Sequence, residues 1–133
     1  MRKLPYGIAV MTGMSVADAE AKVRDALAAE GFGVLTEIDV AATLKTKLDL
    51  DRRPYKILGA CNPVLAAKAL EADEHVGLLL PCNVVVYETA NGTAVEAMEP
   101  AIMAEMIEDE AIRPIAAEAR ERLTRALLAV EAS

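Results

Sequence analysis

The sequence predicts one domain in which short strands and amphipathic helices alternate before two closing helices. Three observations carry that reading. The apolar spacing switches back and forth between a period of two and a period near 3.6 along the chain. An Asn91-Gly92 turn joins two runs rich in β-branched residues. No repeat, low-complexity tract or Ser/Gly linker divides the 133 residues, so residues 1–133 are expected to form a single domain.

The first apolar run, Tyr6–Met11, is punctuated by Gly13 and reads as a strand. Ser15 with Asp18 three residues on resembles a capping box with Asp in place of Glu, and Val16, Ala19, Val23, Ala26 and Leu27 follow at helical spacing until Gly31. Phe32, Val34, Thr36 and Ile38 alternate with Gly33, Leu35 and Glu37, which gives a second strand ending at Asp39. Asp39 is suited to cap a helix whose Val40, Leu44 and Leu48 share one face. After the charged connector Asp49–Pro54, Tyr55–Cys61 reads as a third strand, and Asn62-Pro63 starts a helix running to about Ala72.

Val76–Leu80 and Cys82–Glu88 are two strand candidates separated by Pro81, which has no N–H to give to a ladder. A bend or bulge at residues 80–82 is therefore expected, aiming Cys82 away from a regular pleat. The Asn91-Gly92 pair predicts a type I′ hairpin between that strand and Thr93–Met98. Pro100 opens a short helix carrying Ile102, Met103, Met106 and Ile107. Ile115, Ala119, Leu123, Ala126, Leu127 and Val130 mark the core face of a long final helix.

Composition narrows the function classes. Fourteen Lys and Arg against 21 Asp and Glu give a net charge of -7, which disfavours a phosphate-tracking nucleic-acid binder. The longest apolar stretch, Val76–Tyr87, is too short and too broken to span a bilayer, and the segment behind Arg2 and Lys3 lacks the long apolar centre of an export signal. The two cysteines form no CxxC, so a cytoplasmic, reducing location with no membrane partner is expected. GxSxG, GxGxxG and P-loop patterns are absent.

Leu58–Pro63, reading Leu-Gly-Ala-Cys-Asn-Pro, and Gly77–Glu88, with Leu-Pro-Cys-Asn at its centre, resemble the bacterial and archaeal family called domain of unknown function 302. The resemblance covers about residues 39–100, includes Leu44, Lys47 and Tyr55, and leaves 100–133 as closing helices. It implies an α+β domain with an antiparallel sheet packed by helices, similar in outline to TATA-box-binding proteins, and often a homodimer. It implies no activity. Glu99-Pro100 departs from the Asp-Pro common in relatives, which leaves the start of the Met-rich helix open.

Cys61 closes one strand and Cys82 opens another, each followed by Asn and each near Pro, so Cys61, Asn62, Cys82 and Asn83, with Lys47 and Tyr55, form the candidate ligand site. Two nearby thiols suit soft-metal, sulfur-transfer or disulfide chemistry, although free cysteine also packs as a small buried hydrophobe. A structural zinc site wants four ligands, and only His75 could join the pair, so no metal is expected. The basic cluster Lys45, Lys47, Arg52, Arg53 and Lys56 suits an anionic ligand and His75 a proton carrier, but both, like the acidic run Glu108–Glu110, are read first as solvated surface. Three functions follow: a small-molecule binding or sensing domain with a Cys/Asn pocket, a cysteine-dependent redox or sulfur-transfer enzyme, and a structural dimerisation module. The sequence names no cofactor. A homodimer is expected to use the apolar stripe Met103, Met106 and Ile107, which either the final helix or a second subunit could cover.

Overall fold

A computed structural model describes Met1–Ser133. Six strands form one antiparallel sheet: β1 (Arg2–Leu4), β2 (Gly7–Thr12), β3 (Gly33–Asp39), β4 (Tyr55–Cys61), β5 (Cys82–Thr89) and β6 (Gly92–Met98), in the spatial order β1-β2-β6-β5-β4-β3. The helices are α1 (Val16–Ala29), α2 (Val40–Leu48), α3 (Pro63–Ala72), α4 (Ala101–Met106) and α5 (Ile112–Glu131). The α+β class and antiparallel sheet match the expectation. β1 had no counterpart in the sequence reading, because three residues headed by Arg2 and Lys3 carry no apolar period.

The helix starts follow local chemistry. The Ser15 hydroxyl accepts from Asp18 N at 3.1 Å, Asp39 Oδ1 from Ala42 N at 2.9 Å and Asn62 Oδ1 from Leu65 N at 3.2 Å. Each satisfies a backbone donor that the first helical turn leaves open. Glu99 does the same for α4 in spite of its extra methylene, taking the Ala101 N–H at 3.2 Å while Arg120 Nε donates to its other oxygen at 2.7 Å.

One face of the sheet is covered. Ile8, Leu58, Val84, Val86 and Val95 point from the strands into Val23 and Leu27 of α1 and Leu123, Leu127 and Val130 of α5. Ala19, Ala26, Ala119 and Ala126 are also buried, and their small side chains let the two helices approach each other and the sheet. A second, smaller cluster joins α3, α4 and the start of α5 through Ala69, Val76, Met103, Ile112 and Ala116.

Four expectations are corrected. Val76–Leu80 is a 3₁₀ turn over Glu74–Leu79: Asp73 Oδ1 accepts from His75 N at 2.8 Å and starts the turn, which buries Val76 and leaves Leu78 at 88% exposure. Pro81 does sit in a bend, after a cis Leu80–Pro81 bond, yet Cys82 enters a regular ladder opposite Ala60 and points into the core. The β5–β6 hairpin is present, but not as type I′. Thr89 pairs with Gly92, so Ala90 and Asn91 are its loop residues and neither has positive φ; the positive value, 136°, belongs to Gly92, where a Cβ would meet Thr12 O at 2.6 Å. The Met-rich stripe is divided, with Met103 buried inside the chain and Met106 at 67% exposure.

β3 departs from simple alternation. A bulge at Leu35 leaves Val34 opposite Ala60 and Thr36 opposite Gly59, so the apolar set changes faces midway along the strand. α2 forms where expected and packs chiefly on β3 and β4, but none of its residues is buried and Leu48 is 68% exposed. No helix is long and apolar enough to cross a membrane.

Candidate functional site

The six residues singled out in the sequence fall into three places. Cys61, Asn62 and Cys82 border one apolar cavity with Phe32, Leu65 and Met103. Its volume is ≈ 30 Å³, room for a water or two, since each needs at least ~10–15 Å³ measured this way. The register puts Cys82 opposite Ala60, and alternation turns the side chain of the next residue, Cys61, toward the other face, so the two thiols are not cross-strand partners. Burial, reinforced by Cys61, pushes the Cys82 thiol up to about 11, which keeps it protonated and non-nucleophilic at neutral pH. Asn62 is occupied structurally: besides capping α3, its Nδ2 donates to Glu30 O at 3.5 Å, tying that cap to the end of α1.

Asn83 faces the other way. It follows Cys82 on β5 and so projects from the uncovered face of the sheet, where it is exposed. Tyr55 is on that face too, directly across from Tyr87, and their rings stack with centroids 5.0 Å apart and planes 14° from parallel. The Arg52 guanidinium lies 5.0 Å from the Tyr55 ring centre. Tyr87 Oη donates to Glu96 Oε2 at 2.8 Å. Burial and then the Glu96 carboxylate push the Tyr87 phenol up to about 12, and the same two causes raise Tyr55.

Two hollows lie beside this pair. Leu4, Tyr6, Tyr55, Asn83, Glu96 and Met98 line a hollow of ≈ 310 Å³, within the size range of small-ligand pockets, roughly 300–1,000 Å³. A second hollow of ≈ 580 Å³, bordered by Arg2, Met11 and Tyr87, meets the first at Glu96. Thus Tyr55 and Asn83 are brought together, but away from the cysteines. Lys47 lies in neither place; it stands on α2 beside Asp39 and Thr43 with no ion-pair partner.

Lys45 and Lys56 have local uses. Lys45 pairs with Asp49 and Asp51, and Lys56 bridges Glu20 and Glu37 at 2.9 and 3.2 Å. His75 is exposed, and no group of three or more His, Cys, Asp or Glu side chains gathers as a metal centre would need.

Tyr6, Tyr87 and Glu96 were not among the sequence candidates. Parity held the signal for two of them: once Val84, Val86 and Val95 are taken as core, Tyr87 and Glu96 must share the opposite face. Tyr6 sits in the β1–β2 turn and reaches the hollow only because β2 lies beside β6, a pairing with no local signature.

The family model described as Domain of unknown function DUF302 matches residues 8–130, well beyond the motif-bearing stretch 39–100. The crystal structure of an uncharacterized conserved DUF302 protein from Bacillus stearothermophilus is similar over 95% of this chain and 98% of that one, with a TM-score of 0.87 and 32% identity. No curated protein matches the sequence.

Proposed function

The chain belongs to the DUF302 family, whose description carries no activity, and from the geometry of its sheet we propose that it is a small-molecule binding or sensing domain. The observation that supports this reading is the hollow of ≈ 310 Å³ lined by Tyr6, Tyr55, Asn83 and Glu96 on the sheet face opposite α1 and α5. It combines apolar walls with a few convergent polar groups, as ligand sites do. The site is thus proposed on the tyrosine face, because the cysteine cavity is about tenfold too small for a ligand of that class. The neutral Cys82 thiol argues against a cysteine-dependent enzyme, and both cysteines are free, which suits a cytoplasmic setting.

The aromatic content makes the test direct. The chain has three Tyr, one Phe and no Trp. All three tyrosines border the sheet-face hollows and the one phenylalanine, Phe32, borders the cysteine cavity. Screening a small-molecule library by ring-proton NMR is expected to give saturable shifts at the tyrosines, lost in Tyr55→Ala. Shifts confined to Phe32, or none at all, would reject the reading.

We also propose a homodimer, favoured by one specific observation: Leu35, Ile38, Leu48 and Leu50 stand exposed together along β3, α2 and the connector beyond. A nine-residue helix with no buried residue is too short to be stable alone and gains from a neighbour. Apolar burial would also offset the long-range repulsion of two chains at -7. Sedimentation at micromolar concentration should give twice the 14.2 kDa chain mass, unchanged by added salt; a 14.2 kDa species throughout would reject the dimer.

A further inference from the structure

Four glutamates are half-buried: Glu20, Glu30, Glu96 and Glu99. Three of them have a cation in contact. Glu20 is 2.9 Å from Lys56 and 3.0 Å from Arg24, Glu30 is 2.9 Å from Arg125, and Glu99 is 2.7 Å from Arg120. Glu96 has none. Its carboxylate accepts one hydrogen bond, from Tyr87 Oη to Oε2; Oε1 has no hydrogen-bond partner, and the residue lines both hollows. A partly desolvated carboxylate without a counter-charge is costly unless something supplies one.

No cation of the chain makes an ion pair with Glu96. Arg52 is placed over the Tyr55 ring, and Arg2, in the same cross-strand row beyond Ala9, borders the wider hollow with Glu96 and favours the ionised Tyr87 phenol, but it does not contact the carboxylate. We propose that the missing partner is the ligand and that the sheet-face hollow takes a small organic cation, a primary amine carried on an apolar body, with its ammonium on Glu96. This inference rests on the small-molecule reading above and names the chemical class of its ligand.

The walls fit that class. Leu4, Val85 and Met98 offer apolar surface for a hydrocarbon body, and Tyr6 and Tyr55 line the same hollow with aromatic rings, whose faces attract a cation. The Asn83 amide stands beside them as a further acceptor for ammonium protons. A bare metal ion is a poor occupant, since hard divalent cations collect six or more oxygens and this hollow has one carboxylate. The Tyr87 hydroxyl fixes the carboxylate in place before the ligand arrives, which reduces the ordering cost of binding.

The test compares charge at constant shape. Phenethylamine, phenethyl alcohol and 3-phenylpropionate, together with butylamine and butanol, are titrated into the protein at neutral pH while the tyrosine ring protons are followed. The amines are expected to bind at least about tenfold more tightly than their alcohols, and Glu96→Gln, whose amide oxygen still accepts from Tyr87, should remove that advantage without moving the alcohols. Thermal unfolding of the variant serves as the check that it folds, and Tyr87→Phe, which frees the carboxylate to move, should weaken amine binding in a protein with its charge intact. Equal affinity for amines and alcohols, preference for the carboxylate, or an amine affinity indifferent to Glu96→Gln would overturn the cation assignment and leave the sheet-face site standing. No tyrosine shift with any of the five probes would overturn both.

Discussion

The two faces of the sheet are made by the same strands and differ in every physical respect. Toward α1 and α5 the side chains are mainly Ile, Leu, Val and Ala, closely packed, and the apolar cavity beside the cysteines has room for only a water or two. On the other face stand Tyr55, Tyr87, Asn83 and Glu96, bordering two hollows. Neighbouring residues such as Cys82 and Asn83 therefore belong to different environments: one thiol is held neutral by burial, and one amide is exposed. Sequence proximity grouped these residues, and the pleat separates them. Stability resides on one side and recognition is proposed on the other.

Substitutions on adjacent residues of β4 give the largest test of that contrast. Leu58→Ala, on the covered face, should cost about 2–5 kcal/mol in urea unfolding, because it opens a cavity the helices cannot close. Ile57→Ala, on the open face and only half-buried, should cost under about 1 kcal/mol. Equal losses would mean that the open face is packed against something.

Alkaline pH tests both faces together. Cys82 is raised from an ordinary 9.0 to about 11, and Tyr87 from 10.0 to about 12. Each group holds its proton more tightly folded than unfolded, so its contribution is complete below 9.0 or 10.0 and is lost as pH rises through about 11 or about 12. Lys56, raised by its bonds to Glu20 and Glu37, acts with the same sign. Unfolding free energy is expected to fall steadily across this window. Cys82→Ala should remove the lower part of the fall and Tyr87→Phe the upper part; a stability that rose with pH would contradict both assignments.

Two smaller effects sharpen the picture. Asn62→Ala should cost about 1 kcal/mol, the loss of a helix cap, and should leave ligand shifts at the tyrosines unchanged. Arg52→Ala should change stability by no more than about 1 kcal/mol, the scale of an exposed cation–π contact, while altering the Tyr55 ring resonances. If instead Asn62→Ala moved the tyrosine shifts and Arg52→Ala did not, the site would have to be moved back toward the cysteines.

Much of the fold was legible because it was local. Ser15, Asp39 and Asn62 announced three helices through capping chemistry, and each cap forms its bond. The Val76–Leu80 run misled because a short apolar stretch with no alternation fits a strand as well as a turn, and the Asp73 side chain that starts the 3₁₀ turn lies outside the run. The candidate site was half legible. Tyr55 and Asn83 are on the tyrosine face, but what assembles them with Tyr6 and Glu96 is the order β2-β6-β5-β4, which no dipeptide or period encodes. The unpaired state of Glu96 is a further step removed, since it depends on where three other glutamates found their cations.

The bulge at Leu35 bears on how the outer strand avoids uncontrolled pairing. β3 is an outer strand, with a free row of backbone groups that could template another chain. Leu35 is the extra residue between Val34, opposite Ala60, and Thr36, opposite Gly59, so its deletion would leave every other side chain of β3 on its present face and turn a kinked border into a smooth one. The shortened protein would keep its core and gain an edge open to strand addition, and concentrated solutions of it should form fibrils sooner than the parent chain. On this account the bulge guards the β3 edge against strand addition, while the exposed Leu35 side chain stays available to the proposed dimer contact.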